Sequence, residues 1–145
     1  MFTKEYTYPN FLGDEVTDKF RFNISEFEML DLVRDDPDFS IARLSALAKE
    51  HDAAKMINII RKLLVVSYGV LSEDGKHFRK SDEIATEFVQ SAAYNAILNE
   101  FLTADDPKIL TDFMYGIFPA KFQTEMKNQV EKAKANGTVV SFPTV

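Results

Sequence analysis

Cysteine and tryptophan are absent from the 145 residues, histidine occurs only as His51 and His77, and glycine and proline occur five times each. Without thiols the chain can form neither disulfides nor thiolate metal sites, so its stability must come from a hydrophobic core. The two histidines lack the paired spacing of a zinc site, and the glycines are too scattered for a phosphate-cradling loop. A basic excess is also missing: 17 Lys and Arg against 23 Asp and Glu give a charge of -6 and a pI of about 4.9. That balance argues against nucleic acid, because neutralisation of phosphates by Lys and Arg supplies most of such affinity. No apolar run approaches the roughly 20 residues that span a bilayer. The opening residues MFTKEYTYP alternate polar and aromatic rather than forming a charged-then-apolar signal. The expectation is a soluble protein made and kept in the cytoplasm, with no nucleic acid and no membrane as partner.

What the chain does contain is thirteen Phe and enough length to bury the core of one domain. Its centre is the stretch from Met56 to Ser81. Only Asn58, Arg61, Lys62 and Ser67 interrupt the apolar residues of its first half, too little polarity for a helix with a broadly solvated face. That helix, beginning at Ala53, is predicted to end at Tyr68-Gly69 through a left-handed glycine. An exposed loop built on Asp74-Gly75 follows, and Ser81 caps the next helix, with Asp82 and Glu83 in its first turn.

Before this centre, Phe2 to Tyr8 and Glu15 to Phe22 alternate around the turn formers Pro9 to Asp14, which predicts a β-hairpin. Ser25-Glu26-Phe27-Glu28 fits a capping box, so a helix is expected to start there, with Phe27, Leu30 and Val33 or Arg34 inward and Asp36-Pro37 ending it. A second short helix is predicted over Phe39 to Glu50, with Ile41, Leu44, Leu47 and Ala48 on one face. After the loop, Ile84, Ala85 and Phe88 mark one helix. Ser91 caps another that carries Tyr94, Ile97, Leu98, Phe101 and Leu102, with a single kinked helix as the alternative. Asp105-Asp106-Pro107 starts a helix lined by Ile109, Leu110, Phe113, Met114 and Ile117. Pro119 opens the last one, with a seam of Phe122, Met126, Val130 and Ala133. The predicted fold is mainly α: a single domain over 1–135 of six or seven short helices behind an N-terminal β-hairpin (about 2–22), with a flexible tail over 136–145.

Chemistry finds little support. Ser72, Asp74 and His77 are the one conceivable nucleophilic grouping, but residues so close in one exposed loop would be solvated and unshielded. As a calcium loop, the segment would place Val70 first and Ser81 twelfth, where Asp and Glu are required. Asp35-Asp36 and Asp105-Asp106 each precede a proline, where turn and cap roles account for them. The candidate helices lack the basic character of a DNA-recognition helix. No catalytic, cofactor-binding or metal-binding residue is assigned. What remains is surface for proteins: Phe113, Met114, Ile117, Phe118, Phe122 and Met126 gather aromatic and thioether groups around the Gly116 to Pro119 elbow, either to complete the core or to hold a partner.

The order of elements resembles the tail assembly chaperones of long-tailed, siphovirus-type bacteriophages and prophages of Gram-positive hosts. The resemblance rests on the hairpin running into Phe20-Arg21-Phe22-Asn23-Ile24-Ser25-Glu26, and on Ser67-Tyr68-Gly69 with Ser72, Asp74-Gly75, Phe78 and Lys80-Ser81. It continues through Phe88-Val89-Gln90-Ser91-Ala92-Ala93-Tyr94 and from Phe113 through Gly116-Ile117-Phe118-Pro119-Ala120. It covers nearly the whole chain, and the middle block is its most specific part. Ser67 departs from the small apolar residue more usual there. The resemblance implies a non-enzymatic protein of the infected cell's cytoplasm, absent from the mature virion, that binds the tape measure protein and keeps it soluble during tail tube assembly. It also implies programmed frameshift synthesis of a longer form. That longer form, the tail tube protein and a second copy of the chain are left open as further partners. The alternative is a structural tail protein retained in the virion and pairing through its hairpin edge.

Overall fold

A computed structural model describes residues 1–40, 42–43, 46, 53–103 and 108–124. The alternation at the start of the chain does form a hairpin, β1 (Phe2–Pro9) and β2 (Glu15–Phe22), in register from Phe2 opposite Phe22 to Pro9 opposite Glu15. Because successive side chains point to opposite faces, Phe2, Lys4, Tyr6 and Tyr8 share one face with Phe20 and Phe22. Thr3, Glu5 and Thr7 lie on the other, solvated face. The Thr7 and Thr17 hydroxyls meet there at 2.8 Å.

The sheet does not stop at the hairpin. Helix α1 (Glu26–Asp35), a 3-10 turn (Pro37–Phe39) and helix α2 (Ala53–Ser67) lead into β3 (Tyr68–Leu71) and β4 (Phe78–Arg79), followed by α3 (Asp82–Val89), α4 (Ala92–Thr103) and α5 (Lys108–Ile117). β3 pairs with the end of β2, Gly69 opposite Arg21 and Tyr68 opposite Phe22, and β4 pairs with β3. The result is a four-stranded antiparallel sheet in the order β1-β2-β3-β4. The fold is therefore mixed α/β, which corrects the expectation of a mainly α, all-alpha domain with a single hairpin.

The misreading lies at Tyr68-Gly69. Positive φ is confined to Gly13 and Gly75 among the described glycines, so Gly69 is no left-handed helix cap. Its lack of a side chain serves a different need, since a Cβ there would lie 2.6 Å from the Phe78 ring of β4. The predicted loop is real, but it is the turn of a hairpin. Ser72 Oγ donates to Asp74 Oδ1 at 2.6 Å, Asp74 accepts the Lys76 amide at 3.0 Å, and Gly75 takes φ 73.

Helix limits follow their caps. Ser25 and Glu28 close a reciprocal capping box at the start of α1. Ser81 and Ser91 cap α3 and α4 by accepting the Ile84 and Tyr94 amides, so two helices, not one kinked helix, span this region. The inward face of α1 differs from the expected one. Met29 is buried and Leu32 and Val33 are half-buried, whereas Phe27 is 79% and Leu30 52% exposed. The capping box fixes the rotation of the helix, and Lys80 locks it by donating 2.6 Å hydrogen bonds to both Glu28 Oε2 and the Asn23 carbonyl.

Burial is the largest single influence on the Glu28 carboxyl and would raise it. The bonds from Lys80 and the Ser25 amide together outweigh burial and hold it below the ordinary 4.5. A carboxylate depressed in the folded state contributes stability above its unfolded value, lost as pH falls through the folded one. Glu28→Gln keeps a capping side chain and should flatten the acid limb of stability below about pH 4.5, read by urea unfolding across pH; an unaltered acid limb would refute the tie.

The helices pack on the Phe2/Tyr6/Phe20/Phe22 face of the sheet. Phe22 is fully buried, with ring centroids 5.9 Å from Tyr68, 5.9 Å from Phe88 and 5.6 Å from Phe113. Tyr68 stacks on Phe88 at 4.0 Å, and Phe101 meets Phe113 at 4.9 Å. Six of the thirteen Phe, namely Phe2, Phe20, Phe22, Phe88, Phe101 and Phe113, thus join one aromatic lattice across the layers. Ser67, fully buried, returns its hydroxyl to the Leu63 carbonyl, so its polarity costs the core little.

Tyr6 differs: its hydroxyl is buried without a hydrogen-bond partner among the described residues, and burial, then the Glu100 charge, push its phenol above the usual value. Tyr6→Phe should leave the melting temperature unchanged or raise it by the equivalent of about 1 kcal/mol, the cost of an unmade bond. A marked loss would mean the hydroxyl has a partner in solution. The predicted helix over 39–50, His51, the Asp105-Asp106-Pro107 start signal, Met126 and the tail 136–145 lie wholly or mostly outside the described residues.

Candidate functional site

The elbow set is not an open surface. Phe113, Met114, Ile117 and Phe118 are all buried in the core, Phe122 is half-buried against it, and Met126 lies outside the described residues. Gln123 closes the elbow by donating to the Tyr115 and Phe118 carbonyls at the end of α5. The Ser72/Asp74/His77 grouping is no reactive set either. The His77 backbone amide, not its ring, donates to Ser72 Oγ, and the Ser72 hydroxyl is turned toward Asp74. That bond, with the Lys76 amide, holds the Asp74 carboxyl below the usual carboxylate range. These contacts shape a turn. Among the described residues no cluster of three or more His, Asp or Glu is placed to hold a metal ion, and no helix is long and apolar enough to cross a membrane.

The open apolar surface lies elsewhere, across α2. Its buried face carries Met56, Ile59, Ile60, Leu63, Leu64 and Ser67, but Lys55, Asn58, Arg61 and Lys62 are exposed. The helix thus has a solvated face after all. Between these two faces Val65 and Val66 stay half-covered and floor a groove of about 620 Å³. Leu32 from α1, Phe39 from the 3-10 turn, Val89 from α3 and Tyr94 from α4 complete its apolar lining. A smaller hollow of about 240 Å³ shares Val65 and Val89 and extends the groove along α3 past Ala85 and Thr86. Polar groups mark its rim. Lys62 Nζ lies 3.3 Å from Asp36 Oδ2 and 5.7 Å from the Phe39 ring centroid, and Arg61 Nε lies 3.5 Å from the Tyr94 hydroxyl.

Sequence reading missed this groove because it forms from four short segments that no single periodic stretch joins. The signal that was present is the pair Val65-Val66 beside Arg61-Lys62, adjacent apolar and cationic residues on one helix surface.

The fold and the groove define a small α/β domain that carries an apolar trough with a charged rim of Asp36, Arg61 and Lys62. The chain belongs to the phage tail assembly chaperone family, whose model matches residues 1–142. Membership points to a non-enzymatic role in building a viral tail and to a tail-assembly partner. Comparison with curated proteins and with solved structures finds no match in either.

Proposed function

We propose that this chaperone binds apolar helices of the tape measure protein in the groove over Val65 and Val66 and keeps that protein soluble until the tail tube assembles around it. The observation that supports this is the groove itself: an amphipathic helix lays its apolar face into such a trough, and Arg61, beside the Lys62–Asp36 ion pair on the rim, can meet an acidic residue on its polar face. A long chain of apolar helices would aggregate while waiting for tube subunits, and reversible cover by an acidic domain prevents that. The setting proposed is the cytoplasm of an infected Gram-positive host, with the protein absent from the finished siphovirus-type particle.

Co-expression with the tape measure protein should raise that partner's soluble yield. Val89→Glu, at a residue already 40% exposed, should remove most of the gain while leaving the circular dichroism and melting temperature of the chaperone nearly unchanged. Phe122→Asp probes the elbow in the same assay. Loss with Phe122→Asp and none with Val89→Glu would move the contact to the elbow, and no gain with the wild-type chain would discard the reading. The chain in many copies per purified virion would favour a retained structural protein instead.

A further inference from the structure

The stripe of α2 that floors the groove changes character along its length. Asn58, Arg61 and Lys62 come first, and Val65 and Val66 follow one turn later, about 6 Å along the axis. The two cations differ. Lys62 is paired with Asp36 and lies beside the Phe39 ring, so its charge is answered within the chain. Arg61 makes no ion pair among the described residues. It reaches instead toward α4, where its Nε donates to the Tyr94 hydroxyl at 3.5 Å. That hydroxyl is well anchored, since Tyr94 is buried with its ring centroid 5.4 Å from that of Phe88. One N–H of the guanidinium is thus directed by the core, and its terminal N–H groups are left to form the planar fork that suits a carboxylate.

We infer that Arg61, positioned by Tyr94, sets the groove's selectivity, favouring a client helix with a carboxylate about one turn beyond its apolar anchors over one with an amide or a cation there. This rests on the groove reading proposed above and adds a charge requirement to it. The chain as a whole carries -6, so its long-range field gives an acidic client no advantage. Selection therefore comes from contact at short range, where screening is weakest. The Lys62–Asp36 pair is neutral as a unit and supplies no net charge to it.

The chain has no Trp, so a single Trp in a synthetic peptide reports binding by fluorescence without background. The probes are amphipathic peptides of about 20 residues, long enough to hold helix, with Leu at i, i+3, i+4 and i+7. Each carries Glu, Gln or Lys one turn beyond the Leu stripe, at either end of it, and a control carries the Glu on the opposite face. With the wild-type chain, Glu at one end should bind about fivefold tighter than Gln there, the upper range for a solvent-touched pair. The control should lack that advantage, and the advantage should shrink between about 50 mM and about 500 mM salt. Arg61→Gln should erase it, and Arg61→Glu should transfer it to the Lys peptide. Tyr94→Phe keeps the ring on Phe88 and should cut the Glu advantage with little change in melting temperature. Arg61→Lys, which keeps the charge but not the planar fork, should cut it too. Equal affinity for the three peptides, or an advantage that survives Arg61→Gln, would overturn the inference and leave the groove reading standing. Full retention in Tyr94→Phe would strike Tyr94 from its role. Binding that Val89→Glu leaves intact, or no binding of any peptide, would discard both readings.

Discussion

Phe22→Ala should lower the free energy of unfolding by about 3–5 kcal/mol, the range for removing a large aromatic from a packed core. Much of the stability of an ordinary domain, about 5–15 kcal/mol, would go with it. Several reasons place this residue at the top of the range. It is wholly excluded from solvent, its ring meets Phe2, Tyr68, Phe88 and Phe113, and it pairs with both β1 and β3. Truncation therefore opens a void where three strands and two helices converge, and rings anchored on different elements cannot all collapse into it. Urea unfolding followed by circular dichroism measures the change; a loss under about 1 kcal/mol would show that the lattice repacks freely.

The second large effect belongs to Gly116. A Cβ at this position of α5 would stand 2.8 Å from Phe2 Cβ, closer than real Cβ atoms approach, and a tight 3.3 Å from Phe2 Cα. Two terms oppose each other. Replacing a glycine inside a helix gains about 1 kcal/mol of propensity, while overpacking costs about 1–3 kcal/mol and occasionally more. Gly116→Ala should come out near neutral to moderately destabilising, because the end of an edge strand can give a little. Gly116→Leu cannot be absorbed that way and should lose about 2–3 kcal/mol net, seen as a clear drop in the urea midpoint. Phe2→Ala in the same chain should relieve only part of the loss, since the nearest obstacle is a Cβ that alanine keeps. Complete relief would mean the ring alone sets the packing.

Local chemistry was legible in the sequence and long-range pairing was not. The capping box at Ser25, the caps at Ser81 and Ser91, the stop at Asp36-Pro37 and the Asp74-Gly75 turn all depend on neighbours a few residues apart, and all stand where the residues place them. The sheet was under-read because β3 and β4 are four and two residues long, too short for alternation to register. The partner of β3 is β2, far away in the chain. At Gly69 one residue type serves two purposes, and only tertiary contact with Phe78 separates close approach from a left-handed turn. Phe27 and Leu30 fit an inward stripe as well as Met29 and Leu32 do, and the choice between these faces is made by Lys80, which no helical period includes. The candidate site follows the same division. The elbow residues form an obvious apolar cluster because they are neighbours in one segment, and the core claims most of them. The groove draws on segments that only the fold brings side by side.

The bend after β2 is fastened at two distant points. The Asn23 amide donates to the Ser67 carbonyl at 2.7 Å and the Ile24 amide to the Ile117 carbonyl at 2.8 Å. The second bond cannot form on a ribosome until Ile117 has left the exit tunnel, so the bend stays half-fastened until most of the described chain has been synthesised. Structure acquired late in translation depends on non-local closure and folds slowly.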